Sequence, residues 1–436
     1  MTHRFVASAG ITHRKGSPQA CFRQWRAGVD AGPGGAALLL VDFELSQYWL
    51  AQRPTLPLTA LYCLRAGRLE VAVTDRPLSG QHCCAAEQFD AWTAQHDMVV
   101  SAPPEPLALL PTAIPKPWGR EVWYSGVEAR GVCCFGRGTR RTPIPWLQAA
   151  LPQREAGAPG HDLVLLKILD PLPQPVLGDL YFELHQKKRE VYVVIHVDES
   201  AWPGGVGYIR YGFDAARLAA SGSDEAFRRD YLEAVQAYEA VRRELDAQPP
   251  GAVAAPDLLQ RERSLRETMN SFTHLRELRV GDVVAVPLRL PHALQHGVRT
   301  IEFQTPVYER QILSFAQRVL TQDHWDTAAA VQHMLLRPPP EPAFDRLLDT
   351  ADARVERIVD FPDFEVRRVR IQPGGSVPLA PLRDYALAMV VAGELALAGR
   401  VYRAEQAVLL PRGWEGLLST GNPVQSLTFL LALPRR

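Results

Sequence analysis

One stretch of the chain concentrates carboxylates, an imidazole and lysines: Gly178-Asp179-Leu180-Tyr181-Phe182-Glu183-Leu184-His185-Gln186-Lys187-Lys188-Arg189-Glu190. Glu183 and His185 stand two apart, so on an extended strand both side chains leave the same face. A short charged turn follows, and Glu190 opens the next apolar run. Further on, a Gly281-Asp282 turn, the run Val283 to Val286 and a loop bounded by Pro287 and Pro291 deliver His292. Two carboxylates and two imidazoles that converge suit a divalent metal such as zinc, manganese or iron. Such a cage leaves positions open for substrate oxygens. Alone, a Glu-x-His pair on a strand is more often solvated or salt-bridged; the addition of Glu190 and His292 turns the reading towards metal.

These side chains need strands to carry them. LVLLKILD, LYFELHQ and EVYVVIHVD are apolar or alternating runs of strand length, and FTHLRELRV, DVVAVPL and RTIEFQTP repeat the pattern after an interruption. The interruption changes period. Phe227, Tyr231, Val235, Tyr238 and Val241 recur at three- and four-residue spacing, with Ser223 as N-cap and Pro249 as terminator, which predicts an amphipathic helix over 224–248. A second helix is expected over 257–270. After a helical and Pro-rich crossing, the last ninety residues return to short strands divided by Gly and Pro turns, the pattern of a jelly roll or barrel. Residues 1–105 read as a mixed α/β segment without recognisable chemistry, with two strands around Ala66-Gly67 and a helix in EQFDAWTAQHDM. The Pro-rich stretch 101–117 reads as a linker.

Composition narrows the function classes. The 436 residues carry 48 basic and 48 acidic side chains, and zero net charge speaks against a nucleic-acid partner. No run is long and apolar enough for a signal peptide or a membrane span, and the expectation is a cytoplasmic protein with no membrane partner. Cys21, Cys63, Cys83, Cys84, Cys133 and Cys134 lack CxxC spacing and read as reduced thiols. His82, Cys83, Cys84 and His96 offer metal-capable groups, but ordinary surface or core residues are the stronger reading. Only Lys15, Lys116, Lys167, Lys187 and Lys188 are lysine in a chain that otherwise uses arginine, and three of them, Lys116, Lys187 and Lys188, lie in the segments that carry the chemistry.

The two metal-capable stretches match the spacing of the two cupin signatures. Gly281, Pro287 and His292 stand in register with the second, with Arg289 at its usual glycine, and Glu183 takes a ligand position of the first. With Lys116-Pro117-Trp118-Gly119, Lys188-x-Glu190, the helical insertion and IEFQTPVYERQIL, the chain resembles the short form of class I mannose-6-phosphate isomerase (phosphomannose isomerase) over residues 112–436. The resemblance implies a mainly β bicupin, two jelly-roll β-barrels, with a metal-binding cupin at 112–335, a helical insertion at 214–270 and a second cupin at 345–436. It implies Glu183, His185, Glu190 and His292 as ligands of a divalent metal, zinc first, with Lys188 and Arg310 as catalytic residues beside it. It also implies aldose–ketose isomerisation of a sugar phosphate, mannose 6-phosphate to fructose 6-phosphate, an intramolecular oxidoreduction.

The family has Gln-x-His where this chain has Glu183-Leu184-His185. A second carboxylate neutralises a bound dication and weakens its Lewis acidity, which shifts preference towards manganese or iron. The alternatives are therefore a non-catalytic or regulatory sugar-binding bicupin, or a metal cupin enzyme acting on another sugar. Among neighbouring residues, Lys187 to Arg189 would be a solvated turn on their own; His196 shares parity with Glu190 but reads as a surface residue; His296 supports the site or does nothing; Glu302 and Gln304 share one strand face; Trp118 reads as packing. The C-terminal unit keeps Pro411 and Gly413 but has Gly416 where the signature histidine belongs, so no metal is expected there.

Overall fold

The computed structural model describes residues 10–29, 35–79, 84–152, 163–249, 251, 253–320, 322–341 and 343–435, and is mainly β. The chain forms two compact units that interleave along the sequence. One gathers Met1–Thr112, Trp123–Leu165 and Phe344–Arg436, the other Ala113–Val122 and Leu166–Ala343.

The second unit holds the stretches with the metal-capable side chains. Its six-stranded sheet runs, in order, Val283–Val286, Glu190–Val197, Val298–Gln304, Leu165–Pro171, Gly119–Trp123 and Thr112–Lys116. Its five-stranded sheet runs Thr273–Leu278, Gly207–Phe213, His292–Leu294, Phe182–Leu184 and Gln311–Ser314. Leu169, Tyr192, Val194 and Val284 from the first meet Ile209, Tyr211, Leu294 and Ile312 from the second in one buried cluster. Each such side chain contributes roughly 1.5–3 kcal/mol by leaving water. The sheets stay open at their edges, forming two layers around a core where the sequence led us to expect closed barrels.

The helical interruption decides which way the five-stranded sheet faces. Helix Asp224–Asp246 is capped by Ser223, whose Oγ accepts from the Ala226 N–H at 3.1 Å, and helix Pro256–Asn270 packs beside it. Phe227, Tyr231, Val235, Tyr238 and Val241 form the stripe anticipated from their spacing, and they cover Phe182, Leu184, Phe213, Ala293 and Leu313 on the sheet. Because side chains alternate along a strand, turning Phe182 and Leu184 to the helices turns Glu183 inward.

In the first unit, Ile11–Lys15, Ala36–Ser46, Thr55–Arg65 and Arg68–Thr74 form a four-stranded sheet covered by helix Ala85–Gln95. Ala66 and Gly67, at φ 49° and 76°, make the hairpin turn whose left-handed residues match the strand twist. The C-terminal strands, joined by Leu107–Leu110, Cys134–Arg137 and Arg140–Pro143, form a nine-stranded sheet, and with a second four-stranded sheet they enclose a core of their own.

The stretch read as a linker is strand instead. Leu107–Leu110 pairs with Cys134–Arg137 and Ala407–Leu410, and Thr112–Lys116 closes one edge of the six-stranded sheet. Leu107, Leu109 and Ile114 alternate into the core, and Pro115 is tolerated because an edge strand has no partner for a missing N–H. His82 and Cys83 lie outside the described residues; Cys21, Cys63, Cys84, Cys133 and Cys134 are free thiols. Among the described residues no helix is long and apolar enough to cross a membrane.

Phe227→Ala, at a fully buried position under the sheet, should lower unfolding stability by about 3–5 kcal/mol, read from the denaturant midpoint.

Candidate metal centre

Glu183 stands directly opposite His292 in an antiparallel pair, and His185 follows just past the end of the Glu183 strand. Glu190, the first residue of its strand in the six-stranded sheet, reaches the same point from the opposite layer. Glu183, His185 and His292 offer ligand atoms that all lie within 4.8 Å of one another. Glu190 Oε2 lies 3.1 Å from His292 Nε2 and Glu190 Oε1 3.4 Å from His185 Nε2, while Glu183 Oε1 is 3.8 Å from His185 Nε2. Metal bonds of about 2.0–2.2 Å imply ligand-to-ligand edges of roughly 3.0–3.6 Å; the two Glu190–histidine contacts fall in that range and the Glu183–His185 contact is slightly wider.

Their chemistry points the same way. The Nδ1 of His185 sits 2.9 Å from the Glu309 carbonyl oxygen and that of His292 3.0 Å from the Leu290 carbonyl oxygen. Each Nδ1 therefore donates, and each Nε2 faces carboxylate oxygens. His185 Nε2 and Glu183 Oε2 are buried without a hydrogen-bond partner. With the rings neutral, such facing acceptors are satisfied by a cation held between them. Burial, with Lys188 second, lowers the His185 pKa and favours the neutral ring that a metal needs. Burial alone would raise Glu183, but Arg310, His185 and Lys188 outweigh it and hold the carboxyl below its ordinary value. Glu190 is likewise held well below, burial being outweighed by Lys188 and His185. Both carboxylates are ionised, and the four side chains fit a dication.

Lys188 and Arg310 stand beside these groups. Lys188 Nζ lies 2.6 Å from Glu190 Oε1, and Arg310 reaches within 3.7 Å of Glu183 Oε2 with its guanidinium 4.8 Å over the Tyr181 ring. Tyr192, which the sequence did not single out, donates its hydroxyl to Glu190 Oε2 at 2.6 Å.

No family model matches the chain, and no curated protein does. Solved structures do. A mannose 6-phosphate isomerase from Bacillus subtilis matches with a TM-score of 0.54 at 16% identity, over 75% of this chain and 99% of that one. A zinc-bound mannose 6-phosphate isomerase matches at 0.52 and 13%, over 74% and 98%. A mutant phosphomannose isomerase from Salmonella typhimurium matches at 0.53 and 11%, over 76% and 100%. The likeness is one of fold.

Within that fold, a row of alternating charges crosses the six-stranded sheet behind the centre. Glu302 lies opposite Tyr192; Lys167 on the next strand reaches Glu302 at 3.2 Å and Glu121 at 3.4 Å; Lys116 on the edge strand reaches Glu121 at 2.8 Å. Burial pushes Glu302 well above the ordinary carboxyl range, against the pull of Lys167, while Glu121 and Glu302 together raise Lys167 in spite of its burial. Lys167 and Glu121 were missed by sequence reasoning. The available signal was a lysine inside the apolar run LVLLKILD, in a chain that uses lysine five times. Gly119 of the Trp118-Gly119 pair has φ 146°, and a Cβ there would meet the Asp170 carbonyl oxygen at 2.3 Å. Trp118 is core, as expected.

The remaining candidates fall elsewhere. A β-bulge between Val194 and His196 breaks the parity that aligned His196 with Glu190, and His196 points to solvent. His296 is buried, 2.6 Å from Asp179 Oδ1 and stacked on Trp202. Lys187 is exposed.

Lys167→Met should destabilise the fold by about 3–5 kcal/mol, since it takes from buried Glu302 its ion-pair partner while Glu121 keeps Lys116. Replacing Glu302 by Gln in the same chain should restore most of that loss in a denaturant titration.

Proposed function

We propose that the chain is a metal-dependent sugar-phosphate isomerase, most like an enzyme converting mannose 6-phosphate to fructose 6-phosphate. The observation that carries this reading is the convergence of Glu183, His185, Glu190 and His292 with Lys188 and Arg310 at one point between two sheets. The fold likeness to mannose 6-phosphate isomerases supports it. On this reading the chain is a bicupin, with residues 112–335 as the metal-binding cupin, residues 345–436 as a cupin without ligands, and residues 1–105 as an addition.

Zinc, or manganese or iron, held by the four side chains would polarise the carbonyl and hydroxyl oxygens of the substrate. Lys188 would serve as the general base that takes the C2 proton of the aldose and returns it at C1 through an enediol. Arg310 offers a planar fork that fits a phosphate or an enediolate. The pairing of Lys188 with Glu190 holds Nζ at the candidate cage.

One observation favours a second reading, a sugar-binding protein without turnover. The carboxylate of Glu183 adds negative charge to the cage and draws Arg310 to within 3.7 Å, where a substrate anion would otherwise be held.

A coupled assay for mannose 6-phosphate to fructose 6-phosphate with Zn, Mn, Co or Fe supplied should show turnover. Folded, metal-loaded protein that binds the sugar phosphate but never turns it over would exclude the isomerase and favour the second reading. Lys188→Met should lower kcat by about 10²–10⁴ with metal content unchanged. His185→Ala and His292→Ala should lose metal in elemental analysis; retention in both would mean the cage is misassigned.

A further inference from the structure

Four hydrogen bonds at the mouth of the candidate metal centre converge on one residue that is not among the candidate ligands, Glu309. The backbone carbonyl of Glu309 accepts from His185 Nδ1 at 2.9 Å. Its carboxylate accepts from the backbone N–H of Gln186, at 3.1 Å to Oε1 and 3.0 Å to Oε2, and from the N–H of Lys187 at 3.1 Å to Oε2. Two successive N–H groups turned to one anion form a nest, a geometry that holds negative charge well. We propose that Glu309 is the positioning residue of the centre, setting the aim of His185, Lys188 and Arg310 together. The inference rests on reading Glu183, His185, Glu190 and His292 as a metal cage.

The chain positions explain why one residue can act on three. The turn 186–189 leaves its strand after His185 and rejoins the opposite sheet at Glu190, so its first N–H groups have no ladder partners. Glu309 supplies them, and Thr305 Oγ1 accepts from Arg189 N at 3.1 Å at the far end of the turn. Lys188 lies between these two anchors, and its Nζ placement on Glu190 follows from where they hold the turn. Arg310 is the next residue after Glu309, so whatever fixes the Glu309 backbone against His185 also fixes the root of the arginine over Tyr181. The carbonyl contact defines the His185 tautomer and leaves Nε2 as a lone pair. Gln186, Gln311 and His333 add a second brace, with Gln186 Nε2 3.2 Å from Gln311 Oε1 and His333 Nε2 2.8 Å from it, but that brace touches none of the candidate ligands.

The test uses the full chain, freed of metal and reloaded with Co(II), whose visible absorption reports ligand geometry without any need for turnover. Glu309→Ala should bind Co(II) about 10–100-fold more weakly and with altered bands, while the unfolding temperature of the metal-free protein stays near wild type. Formate should restore the wild-type spectrum to Glu309→Ala by occupying the nest, and should leave the wild-type protein unchanged. Glu309→Gln keeps one acceptor oxygen and should fall between the two, which also decides the matter if the alanine variant does not fold. Wild-type Co(II) affinity and spectrum in either variant would overturn the assignment. Failure of the wild-type protein itself to bind Co(II), Zn or Mn would instead overturn the metal cage, so the two failures are distinguishable.

Discussion

A carboxylate withdrawn from water costs several kcal/mol unless cations and donors surround it. Glu190 is 1% exposed, between two sheets, and its two oxygens meet the Lys188 ammonium, the Tyr192 hydroxyl and the Nε2 atoms of His185 and His292. Most of what is unusual about this unit follows from that burial. The strand carrying Glu190 has apolar residues on both faces, so its register cannot slip without exposing Val191 and Val193. The facing strand is locked by helices that claim Phe182 and Leu184, which leaves Glu183 no direction but inward. Two layers held this firmly bring like charges close, and the arrangement balances only with cations between them.

The unit meets that demand with lysine. Lys116, Lys167 and Lys188 are the buried cations around Glu121, Glu302 and Glu190. A compact ammonium on a flexible stem can point along a sheet interior, where a planar guanidinium needs room for its fork. Arg310, the arginine of the set, stands near the mouth, half-buried over an aromatic ring. The rarity of lysine in the chain thus has a structural meaning, although the residues concerned differ from those the sequence alone brought forward. Lys187 is solvated, and Lys167 takes its place in the interior.

Much of the architecture was legible because it depends on local period. The helix stripe from Phe227 to Val241, the hairpin at Ala66-Gly67 and the strand runs around Glu183, Glu190 and His292 are each written within a few turns or one alternation of the chain. Errors arose where one extra residue or a distant partner intervened. The bulge at Val194 and His196 inverts parity, and no pattern within Glu190–Val197 announces it. The Pro-rich stretch 101–117 became strand because Leu107–Leu110 finds Ala407–Leu410 almost three hundred positions later, and composition carries no record of pairing at that distance.

By itself, then, the sequence determined the residue types of the cage, their same-face spacing and the strands and helices that bear them, since these depend on backbone alternation and helical period. It also placed Lys188 and Arg310 near the cage through resemblance of motif. The tertiary structure alone decided that Glu190 crosses from one sheet to meet His292 on the other, that Lys167 and Glu121 continue the charged row, and that the Glu309 carboxylate meets the N–H groups of Gln186 and Lys187 in the turn between His185 and Glu190. Those are contacts between side chains and backbones far apart in sequence. Their free energy exists only once two sheets have excluded water, because only there does an unpaired charge or an unanswered N–H become costly enough to choose its partner.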